Sequence, residues 1–151
     1  MAFVIRDFRS GDFETLWRID QQCFPPGISY SKPELRTYIR HRASFTLVGD
    51  EEKSGETQGF IVAHVGLTGH IITIDVLLSG RRSGLGSALL RKAEDRMRAA
   101  GSHAVGLEAA VDNVGALSFY KRHGYSVIRT WPRYYSNGVD ALVLRKDLEN
   151  C

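Results

Sequence analysis

The chain is poor in the residues that build extracellular scaffolds and metal centres. Cys23 and Cys151 are the only cysteines in 151 residues. That is too few for a disulfide framework, so a reducing compartment, the cytoplasm, is expected. The five histidines, His41, His64, His70, His103 and His123, show neither i, i+4 pairing nor a cysteine neighbour, and no metal site is expected. No apolar run reaches the ~20 residues of a membrane span. The N-terminus, Met1-Ala2-Phe3-Val4-Ile5-Arg6-Asp7, lacks the basic and apolar regions of a signal peptide and reads as a strand. A net charge of +3 is too small to indicate nucleic-acid binding, although it suits a polyanionic ligand or an acidic partner. Repeats, low-complexity tracts and interdomain linkers are all missing. What is present, 43% apolar and 25% charged residues, belongs to one globular domain over residues 1–151, large enough for a single core.

Hydrophobic spacing predicts the elements. Phe3 to Phe8 alternates as a strand. Phe13, Leu16, Trp17, Ile19 and Asp20 follow at helical spacing, with Asp12 as the expected cap. Phe24-Pro25-Pro26-Gly27 ends that helix, and Ser31-Lys32-Pro33-Glu34 is a capping box that starts a second through Leu35, Tyr38 and Ile39. Phe45 to Val48 and Gly59 to Val65 read as strands around a polar loop, Gly49 to Gln58, and Ile71 to Leu78 as a central strand. A helix from Leu85 to Ala100 closes at Gly101, a strand covers Ala104 to Ala110, and a last helix covers Asn113 to His123. Tyr125 to Trp131 and Val139 to Leu144 complete a mixed α/β (α+β) sheet of order β-α-α-β-β-β-α-β-α-β-β.

Arg81-Arg82-Ser83-Gly84-Leu85-Gly86 lies between the central strand and the third helix. Glycines there allow close backbone approach, the first helical turn offers unpaired N–H groups, and arginines add charge-assisted hydrogen bonds. A phosphate-bearing cofactor is expected, and not an ordinary nucleotide. No Lys-Ser or Lys-Thr pair completes a Walker A loop, and Leu89 stands where a dinucleotide fingerprint needs its third glycine. Helix punctuation with solvated arginines is the bland alternative.

Three further residues carry possible chemistry. Alternation puts Val105, Leu107 and Ala109 on one face of their strand and Gly106, Glu108 and Ala110 on the other, leaving room beside the carboxylate. Asn113 is either a helix cap or a ligand contact. Tyr120 shares a helical face with Asn113 and Ala116, and is either core packing or a proton donor.

The set Arg81-x-x-Gly84-x-Gly86, Glu108, Asn113-x-x-Ala116-x-x-x-Tyr120 and His123-Gly124-Tyr125 resembles the GNAT superfamily of acetyl-CoA-dependent N-acetyltransferases over essentially the whole chain. Within it the chain is most similar to ribosomal-protein alanine N-acetyltransferases of the RimI type, with Cys23-Phe24-Pro25, Arg133-Tyr134-Tyr135 and Gly138-Val139-Asp140-Ala141 in support. The resemblance implies a mostly antiparallel seven-stranded sheet flanked by four helices. It also implies that Arg81, Arg82, Ser83, Gly84, Leu85, Gly86 and Ser87 hold the CoA pyrophosphate. Ile74, Asp75 and Val76 would lie beside pantetheine, with Asn113 touching the cofactor from the other side. Glu108 would be the general base and Tyr120 the general acid, while Phe24, Ile28, Tyr30, Tyr134 and Tyr135 would border the acceptor. An α-amine with a pKa of about 8 needs such a base before it attacks a thioester. A backbone N–H near Val76 could stabilise the oxyanion, and the departing thiolate needs a proton.

The acceptor implied is a protein N-terminus, with a ribosomal protein as one candidate. A small amine or a lysine side chain is the alternative within the superfamily, and a noncatalytic acetyl-CoA-binding module the alternative outside it. Monomer and homodimer are both open. Pro26-Gly27-Ile28-Ser29-Tyr30 replaces the family's Pro-Trp-Ser segment, and Leu78 replaces a common proline. Asp75, unusual in an apolar strand, is either a second polar group at the acceptor site or, the favoured expectation, a residue that pairs across the sheet, and Cys23 is expected to serve packing.

Overall fold

A computed structural model describes residues 2–148. Seven strands form one sheet: β1 (Phe3–Asp7), β2 (Ser44–Glu51), β3 (Thr57–His64), β4 (Thr68–Val76), β5 (Ala104–Ala110), β6 (Ser126–Trp131) and β7 (Ala141–Asp147), in the spatial order β1-β2-β3-β4-β5-β7-β6. Every neighbouring pair is antiparallel except β4 and β5, which run parallel. Four helices complete the expected order: α1 (Phe13–Cys23), α2 (Lys32–Arg40), α3 (Leu85–Ala99) and α4 (Val114–Arg122).

The sheet separates two apolar clusters where a single core was expected. Leu16 and Ile19 of α1 and Leu35 of α2 pack on Val48, Phe60 and Val62. On the opposite face, Leu89, Ala93 and Met97 of α3 and Tyr120 of α4 pack on Leu47, Ile61, Leu107 and Leu144. Each fully buried Leu or Phe contributes on the order of 1.5–3 kcal/mol. α2 starts as its sequence requires. Ser31 Oγ accepts the Glu34 N–H at 3.2 Å, and the Ser31 N–H donates to Glu34 Oε1 at 3.0 Å.

The largest departures from the sequence reading fall in β2, β7 and β4, each because a tertiary partner decides it. β2 continues through Gly49 to Glu51, residues expected in the loop, because β1 pairs with Leu47 through Glu51. β7 is shifted to Ala141–Asp147 by its register with the whole of β5. β4 begins at Thr68 rather than Ile71 because Thr68 to His70 pair with Ala104 to Gly106. Asp12 stands at the N-cap of α1, but its side chain does not cap the helix. Its carboxylate instead takes the Arg9 N–H at 2.7 Å and both terminal nitrogens of Arg6 at 2.8 and 2.9 Å.

Candidate active site

β4 and β5 part company inside the sheet. Their pairing covers only Thr68↔Ala104, Gly69↔Val105 and His70↔Gly106 and then stops, while β4 stays paired to β3 as far as Val76 and β5 to β7 as far as Ala110. The resulting wedge exposes one edge of β4 to no neighbouring strand. Leu77 N–H bonds the Gln58 carbonyl at 2.9 Å. Antiparallel alternation therefore turns the N–H and C=O of Val76 and Ile74 away from β3 and into the wedge. Backbone groups in a protein interior need partners; the Val76 carbonyl has Arg81 and Cys23, and an extended amide-bearing ligand lying against β4 would supply the others as an added strand does.

At the wide end of the wedge sits the glycine turn. Arg82 and Gly84 both take positive φ, 62° and 88°, and α3 opens directly after Gly84 without a side-chain cap. The N–H groups of Leu85, Gly86 and Ser87 are thus first-turn donors, the arrangement that binds phosphate. A Cβ on Gly84 would meet nothing within 4 Å, so glycine is required there by conformation alone. Ser83 Oγ–H is tied to the Gly80 carbonyl, and Ser87 Oγ lies 2.9 Å from His123 Nε2. Arg81 folds back, its Nε–H donating to the Val76 carbonyl at 2.9 Å.

Across the wedge, Glu108 projects from β5 on the α1/α2 face, opposite Leu107. Its two oxygens lie 2.9 and 3.0 Å from His70 Nε2, and the Tyr134 hydroxyl approaches Oε1 at 3.4 Å. The side chain of Glu108 is 15% exposed and that of His70 is 41% exposed. The carboxylate is thus held against a cation-capable ring yet open to an incoming group. His70 escaped the sequence reading, which began β4 three residues too late. Extending the alternation back to Thr68 places it beside Gly106 and so within reach of Glu108.

Tyr120 comes from the other face. It is buried between Phe119 and Tyr125, edge-on to both at centroid distances of 5.4 and 5.7 Å. Burial, with the nearby Asp75 carboxyl adding to it, pushes its phenol above the usual tyrosine range. So raised, the phenol keeps its proton at neutral pH. Asn113 is the N-cap of α4, its Oδ1 accepting the Ala116 N–H at 3.2 Å, which leaves its amide nitrogen for other contacts.

Two loops roof the α1/α2 side of the wedge. In the α1–α2 loop, Phe24 and Ile28 are half-buried, and the Tyr30 ring meets that of Tyr38 tilted at 59° with centroids 5.2 Å apart, its hydroxyl donating to the Ile72 carbonyl at 3.3 Å. In the β6–β7 loop, Tyr134 and Tyr135 meet edge to face at 5.0 Å. The loops touch: Ser136 Oγ–H donates to the Gly27 carbonyl at 3.1 Å, and Asn137 lies on Gly27. Asp75 departs from its expected cross-sheet pairing. A bulge near Ile72 shifts the alternation of β4, and the Asp75 carboxyl points to Asp20 of α1 and to Thr73, whose hydroxyl donates to it at 2.5 Å. Cys23 packs beneath, its Sγ–H directed at the Val76 carbonyl at 3.5 Å and its thiol pushed up to about 11 by burial. Among the described residues no cluster of three or more His, Cys, Asp or Glu side chains is arranged for a metal ion. Among the described residues no helix is long and apolar enough to cross a membrane.

Residues 13–125 match the acetyltransferase (GNAT) family. An N-alpha-acetyltransferase of Sulfurisphaera tokodaii is 28% identical over 162 residues, covering 97% of this chain and 93% of the relative. The crystal structure of Ard1 from Thermoplasma volcanium superposes with a TM-score of 0.90 at 27% identity, covering 99% of this chain and all of that one. The ribosomal-protein-S18-alanine N-acetyltransferase of Escherichia coli superposes with a TM-score of 0.85 at 20% identity, covering 99% and 96%, a likeness of fold.

Proposed function

We propose that this chain, which belongs to the GNAT family of acetyltransferases, moves the acetyl group of acetyl-CoA to the α-amine at a protein N-terminus. The observation that carries this reading is the wedge between β4 and β5, with Glu108 on one side, Tyr120 on the other, and a phosphate-binding helix start at its open end. Such a site fits a long, amide-bearing, phosphorylated thiol ester. The similarity to proteins named N-alpha-acetyltransferase favours an α-amine over a lysine or small amine. Retention of both a carboxylate and a phenol argues against a noncatalytic module. A ribosomal-protein alanine terminus is one acceptor within the proposed class.

Acetyl-CoA supplies an activated acyl group on a good leaving thiol. The Arg82 to Ser87 turn binds its pyrophosphate through backbone N–H groups, and the Ile74 and Val76 backbones on the β4 edge take up its amides. Asn113 offers its amide nitrogen from α4. Glu108, directly or through one water, takes a proton from the acceptor ammonium, which at neutral pH is mostly protonated. His70 and Tyr134 orient that carboxylate. The Val76 N–H donates to the acyl oxygen, and Tyr120 delivers a proton to the sulfur from the opposite face. Phe24, Ile28, Tyr30, Tyr134 and Tyr135 border the path of the acceptor.

The deciding experiment is an acceptor screen of acetyl-CoA turnover with N-terminal peptides, lysine peptides and polyamines. Turnover with free α-amines, lost on blocking them, supports the proposal, and turnover confined to lysines or polyamines sinks it. Gly27 provides a second test. Its φ is +89°, and an added Cβ would stand 2.7 Å from Asn137 Cβ. Gly27→Ala should therefore pry the two roof loops apart and raise the KM for a peptide acceptor about tenfold, the effect of roughly 1–2 kcal/mol of strain, with little change in the KM for acetyl-CoA. Gly84→Ala should do the reverse. It meets no atoms but forces a left-handed alanine, so the acetyl-CoA KM rises several-fold.

A further inference from the structure

Two buried carboxyl groups face each other beside the acceptor loop, and no step of the mechanism above uses them. Asp20 on α1 is wholly buried, and Asp75 on β4 is 1% exposed. They lie within hydrogen-bonding reach of each other. Asp20 Oδ2 accepts the Tyr30 N–H at 2.7 Å, and Asp75 Oδ1 accepts the Thr73 hydroxyl. The remaining oxygens, Asp20 Oδ1 and Asp75 Oδ2, have no other partner. Two charged carboxylates cannot be neighbours in a dry interior, and two unpartnered oxygens there are costly. One proton removes both difficulties, because a single O–H···O⁻ bond satisfies the two orphan oxygens and leaves one charge.

We infer that Asp20 and Asp75 share one proton, and that this acid pair is a positioning device that locks Tyr30, and with it the acceptor loop, onto β4. The rest of the clamp is visible. Trp17 Nε1–H and Gln21 Nε2–H both donate to the Tyr30 carbonyl, at 3.1 and 2.7 Å, and the Tyr30 hydroxyl reaches the Ile72 carbonyl. Tyr30 is thus gripped at its N–H, its carbonyl and its ring by α1 and β4. The charge that Asp20 keeps strengthens its bond to the Tyr30 N–H, and the proton on Asp75 keeps Asp20 in place. Asp75 therefore acts through Asp20 and Tyr30, not on the reacting atoms.

The surroundings favour the proton staying. Burial pushes both carboxyl groups up, Asp75 the further, and the Asp20 carboxyl adds to the rise of Asp75. The other ionisable groups acting on the pair are Cys23 of α1, Tyr30 of the loop, Glu34 of α2, Arg81 of the turn and Tyr120 of α4; only Arg81 opposes the rise at Asp75. A carboxyl group with a raised folded pKa keeps its proton where the unfolded chain has released it. Its contribution to stability is therefore present at low pH and is lost as pH climbs toward the folded pKa.

The test uses the full chain and two substitutions. Asp75→Asn retains an N–H donor for Asp20 Oδ1 and an acceptor for Thr73, whereas Asp75→Ala leaves Asp20 without its partner. Infrared difference spectra near pH 7 should show a neutral carboxylic-acid band that Asp75→Asn removes. The melting temperature of Asp75→Asn should gain on the wild type as pH rises above the unfolded carboxyl range of about 4, because the folded wild type must hold a proton that its unfolded chain has released. In kinetics, Asp75→Asn should keep kcat and the peptide KM within about twofold, while Asp75→Ala raises the peptide KM about tenfold or more with the acetyl-CoA KM unchanged. Absence of the infrared band, a loss of kcat in Asp75→Asn as deep as in Glu108→Gln, or an unchanged peptide KM in folded Asp75→Ala would each overturn the inference. The band and the melting series need only the wild type and Asp75→Asn, so they decide even if Asp75→Ala does not fold. The kinetic arm rests on the acceptor assignment proposed above. A wild type that acetylates no α-amine fails that assignment while the band still reports on the pair.

Discussion

Glu108→Gln lowers kcat/KM for a peptide acceptor by about 10³-fold, within the range of removing a positioned general base. Glutamine keeps the length and planarity of the side chain and can still hydrogen-bond His70 Nε2 and the Tyr134 hydroxyl, so the wedge and its roof stay in place. What is lost is the ability to take a proton from the ammonium. At low pH, where the acceptor is almost wholly protonated, the defect is deepest. Toward pH 9 it shrinks, because more of the amine arrives uncharged with its pKa of about 8. Initial rates of thiol release across that range measure it. The acetyl-CoA KM should not move, since the phosphate turn lies on the α3 face. A rate within about threefold of wild type at neutral pH would remove Glu108 from the chemistry. His70→Ala should fall between the two, about tenfold down, because it deprives the carboxylate of its closest partner without removing the base.

The two carboxyl sites read very differently in the sequence. Glu108 was legible because β5 is short, strictly alternating and flanked by small residues, so a single polar position among Val105, Leu107 and Ala109 stands out. Asp75 was visible as an oddity but not as half of a pair. Its partner, Asp20, lies fifty-five positions away on a helix, and the bulge near Ile72 that turns Asp75 toward α1 has no local sequence signal. His70 was hidden by a boundary: a strand start set by parallel pairing with Ala104 to Gly106 leaves no mark on the apolar run that begins at Ile71.

Most of the architecture was readable for the opposite reason. The helices carry their own stops and starts, such as the Ser31 capping box and the left-handed Gly101 after α3, whose φ of +91° only glycine adopts easily. The glycine turn likewise marked where α3 begins, directly after the left-handed Gly84. The details that escaped, the early start of β4, the length of β2 and the shift of β7, are all matters of which strand lies alongside. Sequence periodicity reports faces, and register belongs to the partner.

Tyr120→Phe lowers kcat by roughly 10²-fold or somewhat less, a smaller defect than that of Glu108→Gln. The difference follows from the leaving group. A thiol with a pKa of about 8.5 can depart as a thiolate, so a proton donor eases the step without being indispensable, whereas an ammonium cannot attack at all. Phenylalanine keeps the ring contacts to Phe119 and Tyr125, and removing a buried hydroxyl costs the core little. The melting temperature should therefore hold, which separates a catalytic loss from a packing one. The rate defect should also shrink as the leaving thiol is made more acidic, because a better leaving group needs less help. An acetyl donor built on a more acidic thiol should recover most of the lost rate in Tyr120→Phe while leaving Glu108→Gln impaired. If both variants recovered equally, the acid and base could not be on opposite sides of the wedge as their positions on α4 and β5 require. A defect that ignored the leaving group would assign Tyr120 to packing alone.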